Sequence, residues 1–144
     1  MQAVVLAGGL GTRLRPLTYV VPKPMLPIAG KPLLEHTVNY LKEHNITEVV
    51  LCVACLKRQI MDYFKDGSSL GVTIRYAESD APLGTGGQLR TAADMVQGTF
   101  LAMNGDIVTS LSLTKLIEFH AKSKGMGSIA LKKYEVKIPY GYVE

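Results

Sequence analysis

Gln2-Ala3-Val4-Val5-Leu6-Ala7-Gly8-Gly9-Leu10-Gly11-Thr12-Arg13 is an apolar run that opens into a glycine turn and then turns basic. The uninterrupted apolar part predicts a buried strand over 2–7. Glycines after such a strand let the chain turn sharply and bring backbone N–H groups within reach of phosphate oxygens. Arg13 adds a planar fork of donors suited to phosphate. The loop lacks the last glycine of G-x-G-x-x-G and does not read G-x-x-x-x-G-K-[ST], so it matches neither the dinucleotide fingerprint nor the P-loop.

Outward from this segment, helical and strand patterns alternate. The spacing predicts a helix over 33–44, with Pro32 at its first turn and Leu34, Val38 and Leu41 on one face. A strand follows over 48–54, a helix over 56–65 with Ile60 and Phe64 inward, and a strand over 72–77. Next come a helix over 87–96, a strand over 99–103 ending at Asn104-Gly105-Asp106, a helix over 112–122 and a strand over 127–135. This order predicts an α/β fold, a doubly wound and mostly parallel sheet with helices on both faces. In such folds ligands sit beyond the carboxyl ends of the strands, at a topological switch point. That rule selects the loop after the first strand, the entry to Gly84-Thr85-Gly86-Gly87, and Asp106.

The chain of 144 residues is of one-domain length, with 47% hydrophobic and 19% charged residues, and reads as globular. No apolar run approaches the roughly 20 residues of a membrane span, and the first residues lack the basic flank of a signal peptide; a cytosolic location is expected. The net charge of +4 is concentrated at one end. Residues 1–34 hold Arg13, Arg15, Lys23 and Lys31 and no carboxylate, which leaves 12 basic and 12 acidic residues over 35–144. Cations gathered at a glycine turn suit a small polyanion better than nucleic acid, which favours a broad basic face.

Lys23 lies in Val21-Pro22-Lys23-Pro24-Met25-Leu26-Pro27, where prolines favour extended backbone. It reads either as an ammonium held stiffly toward developing charge or as a solvated surface lysine. Asp106, at the end of its strand, reads equally as a carboxylate for Mg²⁺ and as a turn stabiliser. Cys52 and Cys55 share the C-x-x-C spacing, but no second ligand pair is visible for zinc, and Cys52 sits in an apolar run as a small hydrophobe. His36, His44 and His120 read as ordinary helix residues.

Taken in order, Leu6-Ala7-Gly8-Gly9-Leu10-Gly11-Thr12-Arg13-Leu14-Arg15-Pro16-Leu17-Thr18, Pro22-Lys23-Pro24-Met25-Leu26-Pro27 and Gly30-Lys31-Pro32 resemble the signature of the sugar-phosphate nucleotidyltransferases. Pro82-Leu83-Gly84-Thr85-Gly86-Gly87, Met103-Asn104-Gly105-Asp106 and Tyr140-Gly141-Tyr142-Val143-Glu144 are similar to later motifs of that family, in the same order. The resemblance implies an enzyme with a Rossmann-like nucleotidyltransferase fold that transfers a nucleoside monophosphate from a triphosphate to a sugar 1-phosphate. It implies that the backbone of Leu6, Ala7, Gly8 and Gly9 meets base and ribose, and that Gly11, Thr12 and Arg13 meet the triphosphate. Lys23 would bridge the α-phosphate and the sugar phosphate, Gly84 would approach the base, and Asp106 would bind Mg²⁺. Tyr140 and Gly141 would line the sugar pocket, with Glu144 close by.

Within the family, the P-L-G-T-G-G and Y-G-Y-V-E forms resemble mannose-1-phosphate guanylyltransferases most, implying GTP and mannose 1-phosphate. Gly86 and Tyr142 depart from that subfamily's usual residues. Uridylyl- and thymidylyltransferases acting on glucose 1-phosphate share the framework, and a non-catalytic nucleotide-sugar sensor of the same fold is a further alternative. Family members run on past residue 144 to a Glu-Lys pair and a second metal-binding aspartate. Residues 1–144 are therefore expected to be the N-terminal nucleotide-binding part of a longer enzyme, truncated and inactive alone. Homo-oligomers of the full-length enzyme remain open, and neither nucleic-acid nor membrane partners are expected.

Overall fold

The computed structural model describes residues 1–135 and Gly141. It divides into two compact units, Met1–Leu111 and Ser112–Glu144. The first holds a four-stranded sheet made of β1 (Gln2–Leu6), β4 (Glu48–Val53), β5 (Thr73–Glu78) and β6 (Phe100–Asn104), in the spatial order β5-β4-β1-β6. All its pairings are parallel, with Val4 opposite Val50 and Ala102, and Val50 opposite Arg75. Central strands are closed to water on both faces: Ala3, Val4 and Val5 of β1 and Val49 through Val53 of β4 are buried. Edge strand β6 is only half covered.

The crossovers decide where the helices lie. From β1 through α1 (Leu33–Glu43) to β4, and through α2 (Lys57–Phe64) to β5, the chain steps twice in one direction. From β5 through α3 (Gly84–Ala92) it jumps back past β1 to β6. Right-handed crossovers then set α3 on the opposite face from α1 and α2. Val4, Val50, Cys52 and Ala77 pack with Ala92 of α3 on one face. On the other, the alternate residues Val5, Leu51 and Val53 are buried together with Leu34, Val38 and Leu41 of α1 and Ile60 and Phe64 of α2. The doubly wound expectation therefore holds, and the reversal in strand order falls between β1 and β6.

Local differences have local causes. Pro32 is the residue flanking α1 rather than part of its first turn. The proline-rich stretch is not simply extended, because Lys23–Met25 is a short 3-10 turn closed by Met25 N–H to Pro22 O at 2.8 Å and Leu26 N–H to Lys23 O at 3.1 Å. Beyond it, β2 (Pro27–Ile28) and β3 (Lys31–Pro32) form an antiparallel hairpin. Its turn residues Ala29 and Gly30 both have positive φ, 49° and 81°, as the favoured two-residue hairpin turn demands. Helix α3 begins at Gly84, ahead of the apolar periodicity that starts after Gly87, so its first turn is built from glycines that show no period.

In the second unit, α4 (Leu113–Ser123) starts at Ser112, whose side chain accepts from Lys115 N–H at 3.3 Å. The strand expected over 127–135 is not formed. Ile129 and Leu131 are 84% and 89% exposed, and no strand among the described residues pairs with this segment. A short apolar run such as Ile129-Ala130-Leu131 becomes a strand only with a ladder to join and a face to bury. Among the described residues the sheet accordingly has four strands where the sequence suggested five.

A buried carboxylate ties α1 to its surroundings. Glu35, 5% exposed, accepts from Lys31 Nζ at 2.7 Å and from Tyr63 Oη of α2 at 2.6 Å. The Lys31 hydrogen bond, then that of Tyr63, holds its pKa below the ordinary value. A depressed carboxyl pKa contributes stability above the unfolded value of about 4.3 and loses it as pH falls through the folded one. Glu35→Gln is therefore expected to cost about 1–2 kcal/mol at neutral pH. In urea denaturation the deficit against the unaltered chain should shrink as the medium is acidified.

Candidate active site

The carboxyl ends of β1 and β6 open into a cleft of about 330 Å³. Gly105 N–H donates to Leu6 O at 2.9 Å, which holds the two ends at one level, and Ala7 N–H ties β1 to β4 through Cys52 O at 2.9 Å. Leu6, Ala7, Gly9, Gly11, Thr12, Arg13, Lys23, Gln88, Asn104 and Asp106 face the cleft, with Leu14 and Pro24. Arg13, Lys23 and Asp106 are the charged groups among them, so the cleft carries a positive excess.

The glycine loop is shaped by close contacts. Gly11 has φ +60°, and a Cβ there would lie 3.0 Å from Thr18 Cγ2 and 3.1 Å from Lys23 Cβ. Thr18 Oγ1 donates to Gly11 O at 2.9 Å, and Leu14 N–H donates to the same oxygen at 2.9 Å. The loop is thus folded against the stem of Lys23, and Arg13 follows on the short turn Thr12–Leu14. Across the cleft, Gly105 lets β6 turn where a Cβ would meet Leu34 Cδ1 at 3.0 Å and Val5 Cγ1 at 3.2 Å. Thr37 Oγ1 donates to Gly105 O at 3.3 Å, which fixes the residue before Asp106.

Lys23 Nζ donates to Asp106 Oδ2 across a separation of 83 residues. The two side chains are 37% and 31% exposed, so the pair stands at the mouth of the cleft, open to exchange with ligand. The structure therefore brings together the glycine loop, Arg13, Lys23 and Asp106. Gly8 and Gly84 lie outside the lining: Gly8 is backed by Gln88 and Ala54, and Gly84 is the open first residue of α3. Gly141 is exposed, and Tyr140 and Glu144 fall outside the described residues.

Asn104 is a lining residue that sequence reasoning passed over. It stands opposite Leu6 in the β1–β6 register, and the strand-end rule that selected Asp106 would have reached it too. Cys52 takes no part as a thiolate. Burial pushes its thiol up to about 11, and its Sγ donates to Gln88 O at 3.2 Å. Among the described residues no three His, Cys, Asp or Glu side chains form a metal cluster, and no helix is long and apolar enough to cross a membrane.

Residues 2–144 match the model of the family described as nucleotidyl transferase. The chain is 38% identical over 148 residues to a probable mannose-1-phosphate guanylyltransferase 3 of Oryza sativa subsp. japonica, covering 99% of the chain and 41% of that protein. It is 44% identical over 116 residues to the D-glycero-alpha-D-manno-heptose 1-phosphate guanylyltransferase of Campylobacter jejuni, covering 81% of the chain and 52% of the relative. The crystal structure of HddC from Yersinia pseudotuberculosis complexed with GMP-PN superposes with a TM-score of 0.74 at 32% identity, over 83% of the chain and 53% of that structure. The chain thus spans about half, or less, of the length of these relatives.

Proposed function

This chain belongs to the nucleotidyl transferase family, and from that premise we propose that its cleft joins a nucleoside triphosphate to a sugar 1-phosphate and releases pyrophosphate. The observation that carries the reading is the meeting of Lys23 and Asp106 in the cleft that the glycine loop and Arg13 also line. A cationic loop beside a cation–carboxylate pair at a switch point is suited to a polyphosphate.

In this reading the backbone of Ala7 and Gly9 faces the nucleoside, while Gly11, Thr12 and Arg13 hold the triphosphate. A sugar-phosphate oxygen attacks the α-phosphorus in line, and the bond to the β-phosphate breaks. The attacking group is already an anion, so no side chain needs to serve as nucleophile. Catalysis is the alignment of two anions and the neutralisation of their charge, by Lys23 and Arg13 above all.

Asp106 would hold Mg²⁺. The donor set fits this ion, which commonly takes one or two carboxylates and fills its remaining positions with water and phosphate oxygens. The side chain also already stands where a cation is favoured, since it binds the Lys23 ammonium. When bound, Mg²⁺ would supply charge neutralisation at the phosphate oxygens.

Two relatives whose names specify guanylyl transfer, one to mannose 1-phosphate and one to a manno-heptose 1-phosphate, support GTP and a manno-configured sugar 1-phosphate as substrates. Nucleotide-sugar synthesis in the cytosol is the setting this implies. The test is incubation of the full-length protein with each of the common triphosphates against a panel of sugar 1-phosphates, with products read by mass. GDP-mannose formation is the expected result. UDP- or dTDP-glucose would move the assignment to the sister activities, and nucleotide binding without any product would point to a sensor.

A further inference from the structure

Gln88 is 8% exposed, and its carboxamide stands between the glycine loop and the first turn of α3. Its Oε1 accepts from Gly8 N–H at 2.8 Å, and its Nε2 donates to Gly84 O at 3.2 Å. Reversing the amide would set NH₂ against N–H and oxygen against oxygen, so its two neighbours dictate its orientation. The backbone of Gln88 is anchored as well, since its carbonyl accepts from Cys52 Sγ of β4 at 3.2 Å and from Thr91 Oγ1 at 2.8 Å. At the other end of the clasp, a Cβ on residue 8 would lie 3.0 Å from Gln88 Oε1 and 3.2 Å from Ala54 Cβ. Gly8 is thus pinned between Gln88 and the end of β4. Its N–H is spent on the carboxamide, while Ala7 and Gly9 on either side face the cleft.

We propose that Gln88 is a positioning residue for the nucleoside end of the substrate, clasping the glycine loop to α3 so that the backbone of Ala7 and Gly9 is presented to the ligand. The inference rests on the nucleotide-binding reading of the cleft. Its consequence is a split between ligands. The triphosphate end is held by Gly11, Thr12 and Arg13, which Gln88 does not touch. Loss of the clasp therefore weakens a whole nucleotide and spares inorganic pyrophosphate.

The test is Gln88→Met, of similar length but without either hydrogen bond, in the full chain. Calorimetric titration with Mg²⁺-GTP and with inorganic pyrophosphate is combined with NMR amide exchange at Gly8. Stranding a buried N–H predicts GTP affinity lower by about tenfold, unchanged pyrophosphate affinity, and faster exchange at Gly8. Unaltered GTP affinity overturns the proposal, as does an equal loss for both ligands, which marks a general loosening of the fold. If the unaltered chain binds neither ligand, the functional reading itself fails, and the Gly8 exchange rate still reports separately on the hydrogen bond.

Should Gln88→Met not fold, Gln88→Glu takes its place. It keeps an oxygen for Gly8 but sets a second against Gly84 O until the introduced carboxyl is protonated. Its GTP affinity, relative to the unaltered chain at the same pH, is expected to recover on acidification. A pH-independent ratio equal to one overturns the proposal.

Discussion

Lys23→Ala in the full-length enzyme is expected to lower kcat for pyrophosphate release by about 10²–10³, while its melting temperature stays close to that of the unaltered protein. The two halves of this result have separate causes. Lys23 is 37% exposed and its partner Asp106 is 31% exposed, so their ion pair is screened and adds about 0–1 kcal/mol to folding. A weak pair is what a binding cleft needs, because the ammonium must leave the carboxylate when phosphate arrives. In the transition state the same ammonium faces charge that is developing on the phosphate oxygens, where removing one donor typically costs about 3–4 kcal/mol. Lys23→Arg should not restore the rate, since a planar fork on a different stem does not place a point charge where the ammonium stood. A steady-state assay with saturating substrates, together with a thermal melt, reads both quantities. An unchanged kcat removes Lys23 from the mechanism; a collapsed melt would mean that its role is structural.

Asp106→Asn is expected to raise the Mg²⁺ concentration for half-maximal activity by at least about 10–100-fold, a range that the loss of partners one shell further out already produces. The substitution keeps size and hydrogen bonding at the end of β6 and removes only the charge. It also leaves Lys23 without its counter-charge, so binding of triphosphate in the absence of metal should not weaken and can improve. Opposite movements of the metal requirement and of metal-free nucleotide affinity are the signature of a carboxylate that serves the cation. A metal titration superimposable on that of the unaltered enzyme would leave Asp106 as the turn stabiliser that its residue type equally allows.

Much of this molecule was legible in the order of its residues, for identifiable reasons. A strand covered on both faces must be apolar at nearly every position, so β1 and β4 are visible as unbroken runs. A helix that packs by one face shows its period, and Leu34, Val38 and Leu41 are all fully buried where that period placed them. The cleft was legible because the end of a parallel strand at a switch point is where ligands bind, and glycines with cations there match a phosphate in shape and charge. The apolar stretch Ile129-Ala130-Leu131 within 127–135 did not produce a strand because apolar character is a property of the segment, whereas a strand is a property of a pair. The hairpin of β2 and β3 was missed for the opposite reason: at two residues each, its strands are too short to show any period.

The chain's own order determined the α/β class, the succession of helices and strands, and the segments that carry cations, glycines and the one acid at the end of β6, because each of these follows from local pattern and backbone preference. Tertiary structure alone decided that Lys23 meets Asp106 and that Gln88 closes on Gly8. Partners 83 and 80 residues apart leave no periodic trace in the sequence. Their meeting depends on how the jump from β5 back past β1 sets the ends of β1 and β6 side by side.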